Sequence, residues 1–201
     1  FKRNKMQNKI KSKQLILPFI TMLILVSCNQ ETEEIPKVDN LLLKEWVGPY
    51  GGVPAFELMK VEDVKAAMLQ GMKLELKDIE AIANNADSPT FENTIEEMER
   101  SGEALNRASS YYGILSGNMS SQEFRDIQTE LAPLFSEQQS KITQNEKLFQ
   151  RIKAVYDASL KTPLPADRQR VVDLIYNRFS MNGAELSIEK KTSYAAISKE
   201  L

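Results

Sequence analysis

The sequence predicts an all-α fold, an antiparallel helical bundle, on three observations. Apolar residues recur at steps of three and four in successive windows of the chain. The windows are separated by Asn, Gly and Pro, the residues that end helices and form turns. No strand-period run of useful length occurs, and there is no repeat at a fixed period and no sustained heptad pattern. With 42% hydrophobic and 27% charged residues, the 201-residue chain has ordinary globular usage and is long enough for a real core.

The first long helix spans Val61 to Ala83. Val64, Met68, Met72, Leu76, Ile79 and Ala83 form its apolar stripe, Glu62 and Asp63 occupy its first turn, and Asn84-Asn85 ends it. The methionines at 59, 68 and 72 are pliable core packing. The stretch that organises the chain follows, Pro89-Thr90-Phe91-Glu92-Asn93-Thr94-Ile95 and the helix it opens. Ser88 or Thr90 serves as N-cap, because a side-chain oxygen there accepts an orphan amide of the first turn. Pro89 fits at or just before the first helical position, and Glu92 suits the positive end of the helix dipole. Phe91, Ile95, Met98, Leu105, Ala108, Tyr112 and Leu115 make one stripe, so a single long helix is expected from Phe91 to Leu115, with Phe91 as core at its start. Glu96, Glu97, Glu99 and Arg100 lie mostly off that stripe and read as a solvated face.

Ser116-Gly117-Asn118 breaks this helix. Ser120 and Glu123 have capping-box spacing for a third helix carrying Phe124, Ile127, Leu131, Leu134 or Phe135, Gln138 and Ile142, with a kink expected near Pro133 and Asn145 as its close. Leu148, Phe149, Ile152, Val155 and Tyr156 mark a shorter amphipathic helix, and Thr162-Pro163-Leu164-Pro165 a loop. Val171, Val172, Ile175 and Phe179 mark the next helix, ended by Asn182-Gly183 with Gly183 at C′. Ser187 caps a last helix that reaches Leu201 without a C-cap.

The front of the chain is of another kind. Residues 1–28 read as a lipoprotein signal peptide: Lys2, Arg3, Lys5, Lys9, Lys11 and Lys13 form a basic region without acids, and an apolar run from Leu15 to Val26 is too short to span a bilayer comfortably. Leu25-Val26-Ser27-Cys28 resembles a bacterial lipobox, which makes Cys28 the expected lipidation site and anchors the chain to a bacterial membrane on its periplasmic or cell-surface side. Residues 29–45 are an acidic tether, and 46–201 the helical domain. Trp46 and Gly48-Pro49-Tyr50-Gly51-Gly52-Val53-Pro54 predict an extended, turning segment pinned by Leu41, Leu42, Trp46 and Phe56. Six of the 26 basic residues and none of the 28 acidic ones fall in the signal, so the remainder carries a net charge of −8. Such a surface suits no nucleic acid, which needs clustered Lys and Arg.

With one Cys and no His, the sequence holds no disulfide framework, no His-Glu-x-x-His motif and no acid–base constellation. The expected catalytic and metal residues are therefore none. Read alone, these residues fit a helical lipoprotein that binds a peptide or protein partner without being an enzyme.

A resemblance points elsewhere. Ser88-Pro89-Thr90-Phe91-Glu92-Asn93-Thr94-Ile95-Glu96-Glu97-Met98-Glu99-Arg100-Ser101-Gly102 closely resembles a segment near the N-terminus of the thimet oligopeptidase family of zinc metallopeptidases, the family of oligopeptidase A and the peptidyl-dipeptidase Dcp. Ile82-Ala83-Asn84-Asn85, Asn145-Glu146-Lys147-Leu148-Phe149, Arg151-Ile152-Lys153-Ala154-Val155-Tyr156 and Gly183-Ala184-Glu185-Leu186 extend it. The resemblance implies the front part of a larger, mostly helical channel-type peptidase that cleaves short peptides, with its zinc site downstream of this fragment. It implies zinc for the full-length protein and none bound here. Phe1 in place of Met, the absence of His and the uncapped last helix agree with a fragment.

Overall fold

A computed structural model describes residues 39–48 and 52–187, together with Lys190. The expected signal peptide with Cys28, most of the tether and most of the last helix lie outside the described residues. Among the described residues there is no strand, only an isolated antiparallel bridge between Val47 and Val53.

Helix α1 spans Val61–Ala83 and is the spine of the bundle. Its predicted stripe is the observed one, with Val64, Met68, Met72, Ile79 and Ala83 buried and Leu76 packed against the core. The segment Phe91–Glu96 is π-helical and runs into a single α-turn, α2 (Glu97–Arg100). Helices α3 (Glu103–Asn118), α4 (Gln122–Thr143), α5 (Glu146–Lys161) and α6 (Ala166–Met181) follow. The all-α bundle is as predicted.

Two hydrophobic cores share α1 and α4. In one, the first half of α1 meets α3 and the first half of α4 through Val64, Ala67, Met68, Ala108, Tyr111, Phe124 and Leu131, closed by Leu42. In the other, the end of α1 meets the π-turn, α5 and α6 through Ile79, Ile82, Ile95, Met98, Leu148, Ile152, Val172 and Phe179. Gly71 sets the approach of α1 to α3, since a Cβ there would lie 2.8 Å from Leu105 Cα.

The expected single helix from Phe91 to Leu115 is broken at Ser101-Gly102, where Gly102 takes φ 74°. A left-handed residue cannot continue a right-handed helix, and glycine adopts it without a Cβ penalty. The break resets the helical face, so Tyr111, not Tyr112, is the fully buried tyrosine, while Tyr112 packs at the margin. The cap of α4 is Ser121 rather than Ser120, its hydroxyl accepting from Phe124 N at 3.1 Å. The helix runs on through Pro133 to Thr143, its C-cap is Gln144, and Asn145 instead caps α5 by accepting from Leu148 N at 3.0 Å.

The turning segment before α1 is pinned differently from the expectation. Leu42 is fully buried, but Leu41 and Trp46 are half-buried and Phe56 is exposed, edge-on to Tyr111. Polar contacts do the remaining fastening: Asn40 Nδ2 donates to Asp63 O (2.8 Å), Ala55 N to the Tyr111 hydroxyl (3.0 Å) and Arg107 Nε to Leu43 O (3.0 Å). At the other end, Gly183 (φ 83°) closes α6: Ala184 N donates to Phe179 O and Gly183 N to Ser180 O, with Ala184 and Phe179 both in the core. That is a Schellman turn with its hydrophobic contact.

Candidate functional site

The residues that carry the family resemblance converge on one junction. Thr90 is the N-cap of the π-turn: its Oγ1 accepts from Asn93 N (3.2 Å), and Asn93 Oδ1 accepts from Thr90 N (2.8 Å). This reciprocal pair satisfies two orphan amides at once. Asn93 also donates from Nδ2 to Ser88 O (2.9 Å) and accepts from Thr94 Oγ1 (2.9 Å).

Arg151 of α5 enters the same junction and is only 6% exposed. Its Nη1 donates to Asn85 O (2.8 Å) and Asp87 O (2.9 Å), and its Nη2 to Asn93 Oδ1 (2.9 Å). Among the described residues no carboxylate pairs with it. Its charge is met by backbone carbonyls of the turn that follows α1, those of Asn85 and Asp87, and by the amide oxygen of Asn93. Lys147 Nζ adds a second cation there through Asn84 Oδ1 at 2.7 Å. The sequence held one sign of this role: Arg151 stands among Leu148, Ile152 and Val155, on the buried face of α5.

Around the junction, a shallow groove of about 430 Å³ is lined by Ala81, Ile82, Asn85, Asn93, Glu97 and Arg100, with Glu92 and Glu96. Its acids are already engaged. Arg100 pairs with Glu96 (2.5 Å) and Glu97 (3.7 Å), and Arg168 of α6 pairs with Glu92 (2.6 Å) while its guanidinium lies 4.6 Å from the Phe91 ring centre. Phe91 is thus packed against the core as expected, but half-buried beneath a cation rather than enclosed. A backbone hydrogen bond at its own amide, and then the Arg168 contact, hold the Glu92 carboxyl below its ordinary range. Glu99 stays exposed, so the acidic run is the solvated face expected of it.

Further along α5 and α6, Tyr156 and Tyr176 stack at 3.9 Å, and the Tyr176 hydroxyl donates to Glu185 Oε1 at 2.5 Å. That bond, with burial, pushes the Tyr176 hydroxyl up, and Asp157 beside Lys153 raises the lysine. These contacts tie the turn after α6 to the helix pair.

The described residues supply carboxylates, amides, hydroxyls and guanidinium groups. No group of three or more His, Cys, Asp or Glu among them is arranged to hold a metal ion. The carboxylates are spread along helix faces and several are bound to arginines, which does not fit a zinc ion. The fold and junction define an all-α helical domain held together at the turn between α1 and the π-helical segment.

Residues 65–191 match the N-terminal domain of the neurolysin/thimet oligopeptidase family, and the chain belongs to that family. It is 29% identical over 161 residues to the dipeptidyl carboxypeptidase of Salmonella typhimurium, covering 80% of this chain and 24% of that protein. The Escherichia coli dipeptidyl carboxypeptidase is 29% identical over 147 residues, covering 73% and 22%. Oligopeptidase A of Salmonella typhimurium is 24% identical over 149 residues, covering 74% and 22%. The chain thus spans under a quarter of the length of these relatives.

Proposed function

We propose that the chain is the front part of a zinc-dependent peptidase that cleaves short peptides, and that it serves there as wall and cover of the substrate channel. The observation that supports this best is the family match across 65–191. The relatives, a dipeptidyl carboxypeptidase and an oligopeptidase, supply the activity, peptide hydrolysis from a carboxyl end or on oligopeptides. The carboxylates of the described residues do not fit zinc, and on this reading the metal and the groups that activate water belong to a region downstream. This domain's contribution is shape: a helical bundle in which the Arg151 junction fixes where the π-turn and α5 stand relative to the end of α1. A rigid wall of that kind admits an extended peptide and keeps folded proteins out. Lipidation at Cys28 would hold the enzyme on a bacterial membrane, facing the periplasm or the cell surface.

Reading the coding frame beyond Leu201 tests the proposal. It predicts several hundred further codons that include a His-Glu-x-x-His helix, and peptidase activity only in the longer product. A stop codon shortly after Leu201, or hydrolysis of peptides by the 201-residue chain itself, would overturn it. A stop would turn the search to a peptide or protein bound by an anchored, non-enzymatic helical domain.

A further inference from the structure

The stretch before α1 leaves an apolar surface open. Val47 is 81%, Val53 59% and Leu58 59% exposed. Val47 and Val53 stand opposite each other in the isolated antiparallel bridge, with Val53 N donating to Val47 O at 3.3 Å. Residues opposite each other in an antiparallel pair show their side chains on one face, so the two valines make a single apolar spot. Half-buried Trp46 precedes it, and exposed Phe56 follows. Four of the nine large apolar side chains exposed among the described residues fall within 47–58, so the exposure is concentrated rather than scattered.

The place of this spot along the chain points to what meets it. The stretch is fastened to the bundle by buried Leu42 and by Ala55 N, which donates to the Tyr111 hydroxyl at 3.0 Å, so the valines are held as a fixed surface. Asp39 pairs with Lys44 at 2.7 Å, three positions before Val47. Ten residues separate Cys28 from Asp39, a contour of at most about 40 Å. A lipid on Cys28 would keep the bilayer surface within reach of the spot, and a tethered contact counts even when it is weak, because the effective concentration is high. Neighbouring charges select the headgroup. Glu45 and Glu57 are exposed beside the apolar residues, and Lys44 is engaged by Asp39. Anionic headgroups are held by clusters of Lys and Arg, so this surface suits a zwitterionic layer instead.

We infer that Val47 and Val53, with Phe56 and Leu58, rest on the zwitterionic lipid surface to which Cys28 anchors the chain. The inference rests on the lipidation of Cys28 proposed above and not on the peptidase activity. It commits to lipid as the occupant, ahead of a second copy or a protein partner.

Trp46 is the single tryptophan of the sequence, so its fluorescence reads this stretch alone. The chain is expressed in a bacterium, purified from its membranes and bound to phosphatidylcholine vesicles with or without bromine on the acyl chains, since bromine quenches an indole it touches. Mass spectrometry reads the lipid on Cys28 first. The expected result is Trp46 emission at least about twofold weaker on the brominated vesicles, as for an indole at the membrane interface. Val47→Asp combined with Leu58→Asp should remove the quenching while the chain still floats with the vesicles and keeps its helical circular dichroism. Leu174→Asp, at an exposed apolar site on α6, should leave the quenching unchanged. If the double variant unfolds, Val47→Asp alone decides. An unlipidated Cys28 would overturn the anchor and this inference with it. With the lipid present, three results would overturn this inference alone: equal emission on both kinds of vesicle, which would assign the stretch to a protein partner, quenching that survives the aspartates, or quenching that appears only when phosphatidylglycerol is added.

Discussion

Replacing Arg151 with alanine is the sharpest perturbation of this fold. The change removes three hydrogen bonds from a charged donor, to Asn85 O, Asp87 O and Asn93 Oδ1. Bonds of that kind are each worth about 1.5–3 kcal/mol, and an acceptor left dry costs about 1–3 kcal/mol. The three acceptors do not lose equally. Asp87 is exposed and Asn85 half-exposed, so water replaces much of what their carbonyls lose, and Asn93 Oδ1 keeps Thr90 N and Thr94 Oγ1 as donors. The net loss is then about 3 kcal/mol, near one full bond plus the packing of the buried stem. For a domain of this size that lowers Tm by roughly 6–12 °C. Arg151→Lys keeps the charge but cannot span three acceptors with one ammonium, so about half the loss remains. Urea unfolding followed by circular dichroism measures both, and a double-mutant cycle with Asn93→Ala should show a coupling of at least about 0.5 kcal/mol. A loss below about 1 kcal/mol for Arg151→Ala, or no coupling to Asn93, would refute the view that this arginine fastens the junction.

Two further outcomes follow from close approach and from charge. Gly71→Ala gains about 1 kcal/mol in helix propensity but drives a Cβ to 2.8 Å from backbone atom Leu105 Cα, which cannot swing aside. Overpacking of that kind costs about 1–3 kcal/mol, so the variant should be less stable in thermal unfolding; a higher Tm would mean that α1 and α3 separate freely. Glu92 is held below its ordinary value of 4.5, first by the backbone hydrogen bond at its own amide and then by Arg168, so these contacts add stability that is present above pH 4.5 and is lost as pH falls through the lower folded value. Tm curves of the unaltered chain and Glu92→Gln should therefore converge in acid and separate above that range, modestly because the carboxyl is exposed; parallel curves at every pH would refute a stabilising role for the Glu92 carboxylate.

Local sequence determined a good deal here. Repeating apolar steps and an acidic first turn place α1 over Val61–Ala83 and make the class all-α, because these signals act within a few turns of one helix. Asn182-Gly183 specifies its turn for the same reason, since only glycine takes that φ without a penalty. The motif from Ser88 to Gly102 is enough to point to the family. Tertiary structure decided whatever depends on residues far apart in the chain. The stripe from Phe91 to Leu115 is compatible with one helix, and Ser101-Gly102 breaks it where Gly102 packs against Glu75 of α1, a neighbour the periodicity cannot show. How far Phe91 is enclosed depends on Arg168, whose guanidinium covers the ring from a helix more than 70 positions later. Arg151 is legible in sequence only as a charge on an apolar face. Its use depends on the turn that follows α1, more than 60 positions away, bringing the carbonyls of Asn85 and Asp87 to the point where that charge is buried.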